Sequence, residues 1–146
     1  MNRVAFRIVK TASGPAIQID VDGQSLQEWA RAVELRFASA EANPRLAGSY
    51  EGLGPGQVNR DREHYLGSPV ASWFEDGDTV LLGCVCGEWG CWPLTTMVTV
   101  TDTEVIWQGF RNGHRPWDLG ALGPFRFKRT QYESSLDEAF AHVQLP

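Results

Sequence analysis

All three cysteines of this chain fall in one short stretch, Gly83-Cys84-Val85-Cys86-Gly87-Glu88-Trp89-Gly90-Cys91. On an extended segment residues two apart project to the same side, so Cys84 and Cys86 present their sulfurs together. The four residues from Gly87 to Gly90 have the length of a hairpin loop, which sets Cys91 opposite Cys86. The glycines permit the positive φ angles such a loop needs. Three sulfurs can therefore meet at one hairpin end, and three kinds of chemistry fit them. Three thiolates and one imidazole make a tetrahedral zinc site. The candidate ligands are Cys84, Cys86 and Cys91 with His114 as the fourth, His64 being the weaker alternative. Alternatively, Cys86 and Cys91 can exchange a disulfide, or one of them can act as a nucleophile. The ordinary reading needs no ligand: small, soft side chains packed under a tight turn. A single C-x-C-x4-C lacks the paired C-x-x-C spacing that specifies a metal site. The SWIM zinc-finger pattern continues C-x-H, whereas here Trp92-Pro93 follows Cys91.

A second feature follows the cysteines. Between residues 107 and 129 aromatic and basic side chains interleave, and Trp107, Arg111, Arg115, Trp117, Arg126 and Lys128 form a candidate binding patch. Aromatic faces beside guanidinium groups can stack bases and hold phosphates. The alternation Phe125-Arg126-Phe127-Lys128 also reads as a strand with one buried face and one wet face. His114 and Asp118 could form an acid–base pair with a cysteine, a pairing that only geometry can decide. No P-loop and no G-x-S-x-G elbow is present, and Gly52-Leu53-Gly54-Pro55-Gly56 lacks the strand and helix that flank a dinucleotide loop. The balance leans away from an enzyme.

The elements that must position these residues are an α+β set. Val4, Phe6 and Ile8 alternate, as do Ile17, Ile19 and Val21, and Ser13-Gly14-Pro15 separates the two runs as a hairpin turn. Ser25 and Glu28 match a capping box, and Leu26, Trp29, Ala30, Val33 and Phe37 make the apolar stripe of a helix over 26–39. Residues 43–70 read as a long Gly/Pro-rich loop. Within it the alternating charges of Arg60-Asp61-Arg62-Glu63-His64 suggest a solvated turn. Strands over 79–85, 94–100 and 104–110 form a meander, with a short last strand at 125–128. Thr130 and Glu133 match a second capping box, before a helix striped by Tyr132, Leu136, Ala139, Phe140 and Val143. With no strand–helix–strand alternation, the expectation is one α+β domain over 1–146, with a mainly antiparallel sheet and two amphipathic helices.

Composition narrows the setting. A chain of 146 residues with 42% hydrophobic and 21% charged residues supports an ordinary core without staples. The formal net charge of −5 disfavours general nucleic-acid binding and suits a basic protein partner. No apolar run reaches the roughly 20 residues of a membrane span, and the N-terminus does not read as a signal peptide, so the expected location is the cytoplasm. There thiols stay reduced, which argues against a disulfide framework.

The segment from Gly83 to Leu94, with His114-Arg115-Pro116-Trp117-Asp118, Leu122 to Phe127 and Gln131-Tyr132, resembles a family of small bacterial proteins carrying the motif G-C-x-C-G-x-x-G-C-x-P-L. No activity is established for that family; the resemblance implies bacterial origin and a free-standing cytoplasmic domain. The functional expectation is a non-catalytic intracellular binding or interaction domain, for which a small structural zinc site at the cysteine loop is one option. The alternatives are a small enzyme using a cysteine or zinc-bound water at the Cys84–Cys91 loop, and an immunity-like protein masking a basic partner by charge complementarity.

Overall fold

The computed structural model describes residues 1–142. The alternating N-terminal runs pair as β1 (Val4–Thr11) and β2 (Gly14–Val21), with Phe6 opposite Ile19. The short β3 (Gln24–Ser25) extends this sheet beyond β2. Helix α1 (Leu26–Ala40) starts where the Ser25 hydroxyl accepts the Glu28 amide, as the capping box predicts. The second sheet has the order β4 (Tyr50–Gly52), β5 (Thr79–Cys84), β6 (Leu94–Val100), β7 (Glu104–Asn112) and β8 (Phe125–Lys128), all antiparallel. Helix α2 (Arg129–Ala141) closes the described chain. The α+β class with antiparallel sheets is as the sequence predicts.

The single expected sheet is two, with three and five strands. Their edges meet at two isolated bridges. Asn2 pairs with Phe127 of β8, and Ile17 of β2 pairs with Leu53, just past β4. The strand order thus closes into a ring with two thin seams. Beyond the first seam, α2 replaces a neighbouring strand along β1. Gln131 accepts the Val4 amide at 3.0 Å and donates to the Val4 carbonyl at 2.6 Å, and the Ser135 hydroxyl accepts the Phe6 amide at 2.9 Å. These side chains satisfy an edge that would otherwise present unpaired backbone groups.

An aromatic cluster fills the ring. Trp107 is fully buried, and its indole donates to the Tyr132 hydroxyl, which in turn donates to the Tyr65 carbonyl. Phe6 lies 5.2 Å, centroid to centroid, from both Tyr65 and Tyr132. The tilted contact with Tyr65 and the edge-on contact with Tyr132 add specificity to the burial itself.

Three local expectations need correction. The second capping box does not form. Helix α2 begins one residue earlier than Thr130, without a side-chain cap, because Glu133 is drawn into ion pairs with Arg129 and Arg62 at 2.8 and 3.2 Å. Of its predicted stripe, Val143 lies outside the described residues. The segment 43–70 is not featureless: it contains β4 and 3-10 turns at Pro44–Leu46, Pro55–Val58 and Arg62–Leu66. The charged run at 60–64 is not wholly solvated either, since His64 and the adjacent Tyr65 are fully buried.

His64 is buried because the backbone satisfies both ring nitrogens. Nε2 donates to the Val80 carbonyl at 2.8 Å, and Nδ1 accepts the Val70 amide at 3.0 Å. Only the neutral ring can do both. Burial pushes its pKa down to about 4. The unfolded chain therefore binds the extra proton first, and the stability His64 supplies is present above pH ~6.5 and lost as the pH falls towards 4. His64→Gln should cost about 1–3 kcal/mol at pH 7, because the Val70 amide loses its acceptor. Urea unfolding should show that cost shrinking between pH 6.5 and 4; a constant difference would refute the role.

Candidate functional site

The cysteine loop joins β5 to β6 and lies against two other segments, the loop at 72–78 and the turn after β7. Asp78 shapes the first. It is buried and accepts from the Ser72 hydroxyl and from the amides of Trp73 and Phe74. Burial works to raise its pKa, but those donors, with the Arg111 charge, hold it below the usual range. The second is fixed by Asn112 at the end of β7. Its Oδ1 accepts the His114 amide at 2.8 Å. Between them, Gly113 must be glycine: a Cβ there would lie 2.5 Å from Pro93 Cγ and 2.8 Å from Trp73 Nε1. The Trp73 indole donates to the Gly113 carbonyl at 3.0 Å.

Together these contacts line up four of the chain's six tryptophans. Trp89 meets Trp73 edge-on at 6.4 Å, and Trp73 lies 4.8 Å from the His114 ring. His114 stacks parallel to Trp92 at 6.3 Å, and Trp92 meets Trp117 at 5.8 Å. Guanidinium groups cover the band at two points. Arg115 sits over Trp92 at 5.1 Å and Arg111 over Phe74 at 3.8 Å, distances at which cation–π attraction operates. An open groove of about 570 Å³ runs between Phe74, Arg111, His114 and Trp117.

The sequence-predicted patch is only partly here. Arg111, Arg115 and Trp117 belong to the band. Trp107 does not: it is core, and so are Phe125 and Phe127. Strand alternation turns these rings inward and leaves Arg126 and Lys128 exposed on the other face of β8. Nor is the patch a free basic surface. Arg111 pairs with Asp76 at 3.0 Å, Arg115 with Glu41 at 2.9 Å and Arg126 with Glu104 at 2.8 Å. Glu41 also accepts the Trp117 indole at 2.7 Å. The Arg115 and Trp117 hydrogen bonds hold its carboxyl below the usual range.

At the cysteine loop, β5 ends at Cys84 and Gly87 takes a positive φ. The loop then turns through Trp89–Cys91 in 3-10 form. All three thiols are free; Cys84 is half-buried, Cys86 and Cys91 exposed. Cys84 Sγ accepts the Cys86 amide at 3.4 Å, and Cys86 Sγ accepts the Glu88 amide at 3.5 Å. The Glu88 amide, then the Cys84 thiol, lowers the pKa of Cys86. Burial raises that of Cys84, and the neighbouring Cys86 raises that of Cys91.

His114 does lie beside the loop, but its Nε2 donates to the Gly90 carbonyl at 2.8 Å. His64, the alternative ligand, is enclosed in the core. Among the described residues no group of three or more His, Cys, Asp or Glu side chains is arranged to hold a metal ion. The zinc set Cys84, Cys86, Cys91 and His114 is therefore not assembled. The acid–base pair is not formed either, since Asp118 accepts the Gly120 amide instead. A cleft of about 300 Å³ lies on the other flank of the loop, between Ser13, Pro15, Gly54, Gln57, Cys84 and Trp89. Its one long amide, Gln57, is occupied by the Gly54 amide and the Gly87 carbonyl.

Beneath the band runs a polar relay. The Asn112 side-chain amide donates to the Tyr50 hydroxyl at 3.0 Å, and that hydroxyl donates to Glu34 of α1. The Gly48 amide donates to the other Glu34 oxygen at 2.8 Å. Glu34 has no exposed surface, and burial pushes its pKa up to about 7 against these donors. Glu34 occupies the buried line Leu26, Ala30, Glu34, Ala38, spaced by fours. The signal in the sequence is an acid at a position where the stripe calls for an apolar side chain.

No family model, no curated protein and no solved structure matches this chain.

A raised carboxyl pKa means the folded state holds its proton longer than the unfolded one. The stability Glu34 contributes is fully present below pH ~4.5 and falls as the pH rises to 7, by on the order of 3 kcal/mol. Glu34→Gln, unable to titrate, should remove that fall from the stability profile measured by denaturant unfolding. An unchanged slope between pH 4.5 and 7 would show that Glu34 is not the buried acid described.

Proposed function

We propose that this chain is a non-catalytic binding domain of the cytoplasm that docks a protein partner on the band of Trp73, Trp89, Trp92, His114 and Trp117. The observation that carries this reading is the band itself: half-buried Trp73 and Trp89 and exposed His114 beside the buried Trp92 and Trp117, with arginines over its rings and an open groove along it. Trp and Arg are the side chains that dominate the energetics of protein interfaces, because rigid rings and planar guanidinium groups bury much area at little entropic cost. Phe74, one of the few large apolar side chains left exposed, sits at its rim.

Charge selects the partner's class. Each arginine of the band has its own carboxylate, so the groove offers no surplus positive charge to a polyanion. The chain as a whole carries −5. Such a surface attracts a basic protein and repels nucleic acid. Masking of a basic partner, as immunity proteins do, is the form of binding this favours. No helix among the described residues is long and apolar enough to cross a membrane.

Affinity capture from the source cell at low salt should retain a stoichiometric basic protein. Phe74→Ala and Arg115→Ala, checked for an unchanged unfolding transition, should each weaken retention by about tenfold or more. Recovery of nothing, of nucleic acid alone, or of the same protein equally by both variants would overturn the proposal.

A further inference from the structure

We infer that Cys86 is a site of oxidative modification, with Cys91 as its resolving thiol, so that the loop after β5 closes into a Cys86–Cys91 disulfide when the chain meets a hydroperoxide. Geometry carries this independently of any partner. Cys86 is exposed, and its sulfur receives the Glu88 amide, a donor that favours the thiolate over the thiol. The tight turn at Gly87 delivers that amide, and the Gly87 amide in turn donates to the Cys84 carbonyl at 3.1 Å. The thiolate is the reacting form in oxidation and exchange.

The choice of Cys91 over Cys84 follows from what each sulfur is already doing. Cys84 is half-buried at the strand end, and its sulfur is folded back onto the Cys86 amide. Cys91 is exposed at the end of the Trp89–Cys91 3-10 turn, where its amide donates to the Glu88 carbonyl at 3.0 Å. Glu88 thus holds both ends, its amide on Cys86 and its carbonyl on the Cys91 amide. The Cys86 side chain is Cys91's hydrogen-bond neighbour, and that contact raises the Cys91 pKa.

The chemistry balances as two steps. The Cys86 sulfur attacks the terminal peroxide oxygen; an S–O bond forms, the O–O bond breaks, and the departing alkoxide leaves as an alcohol with the proton Cys86 gave up. Cys91 then attacks the sulfenic sulfur; an S–S bond forms, the S–O bond breaks, and water leaves with the Cys91 proton. Two thiols have lost two electrons and one hydroperoxide has gained them.

The test treats the reduced wild-type chain with hydrogen peroxide at neutral pH, then alkylates it and maps peptides without reduction. The expected product is a disulfide joining the peptides of Cys86 and Cys91, with Cys84 recovered alkylated. Cys91→Ser should stop at a sulfenic acid on Cys86 trapped by a 1,3-dione, Cys84→Ser should still form the disulfide, and Cys86→Ser should slow oxidation about tenfold or more. A disulfide to Cys84, oxidation unaffected by Cys86→Ser, or no reaction in the native chain while the urea-unfolded chain reacts would each overturn the inference. The wild-type map alone decides it if a variant fails to fold.

Discussion

A buried carboxyl holds this structure in register. Glu34 belongs to α1, Tyr50 to β4 and Asn112 to β7, three elements far apart in sequence, and one line of hydrogen bonds runs through them. Placing an acid out of reach of water is costly unless donors surround it. Here the Gly48 amide and the Tyr50 hydroxyl supply them, so α1, the turn before β4 and the end of β7 must sit where they do or leave a polar group stranded. Apolar packing specifies which faces meet; the relay specifies how they align. Such polar networks favour one arrangement over its near neighbours because partial satisfaction is worse than none.

The exposed end of the molecule inherits that alignment. Asn112 gives one side of its amide to Tyr50 and the other to the His114 backbone, so the turn carrying His114, Arg115 and Trp117 is tied to the core at its first residue. Glu41, at the C-terminal cap of the same helix that holds Glu34, secures the other end through Arg115 and Trp117. A row of rings held from beneath by a helix and a strand is pre-organised, which lowers the ordering cost of binding.

Much of the fold was legible in the chain. Alternation marked β1, β2 and β8, the Ser25 cap marked α1, and the runs at 94–100 and 104–110 marked the β6–β7 pair. What escaped were features set by long-range contact. Tyr50–Gly52 is too short and glycine-rich to read as a strand, and pairs only because β5 supplies an edge. The run at 60–64 hides a core histidine because backbone groups from 70 and 80 satisfy its ring, and no local pattern reports that. The cysteine spacing singled out the loop, but not that β5 would stop at Cys84 and β6 start only at Leu94, so that Cys86 and Cys91 are not a strand pair, nor that His114 would donate to Gly90. The basic–aromatic stretch mixed two surfaces: Trp107 faces inward, while Trp73, Trp89 and Trp92, which complete the band, lie outside it. The arginines looked like a cationic patch because their carboxylate partners are 22 to 74 residues away.

The most direct test of the account is backbone hydrogen exchange in Asn112→Ala compared with the parent chain. If the relay aligns the aromatic end, the amides of Gly48, Gly113 and His114 should exchange faster by about tenfold or more, while those of the β1–β2 pair keep their protection. Unchanged protection at Gly48 and His114, or an equal loss throughout the chain, would contradict it.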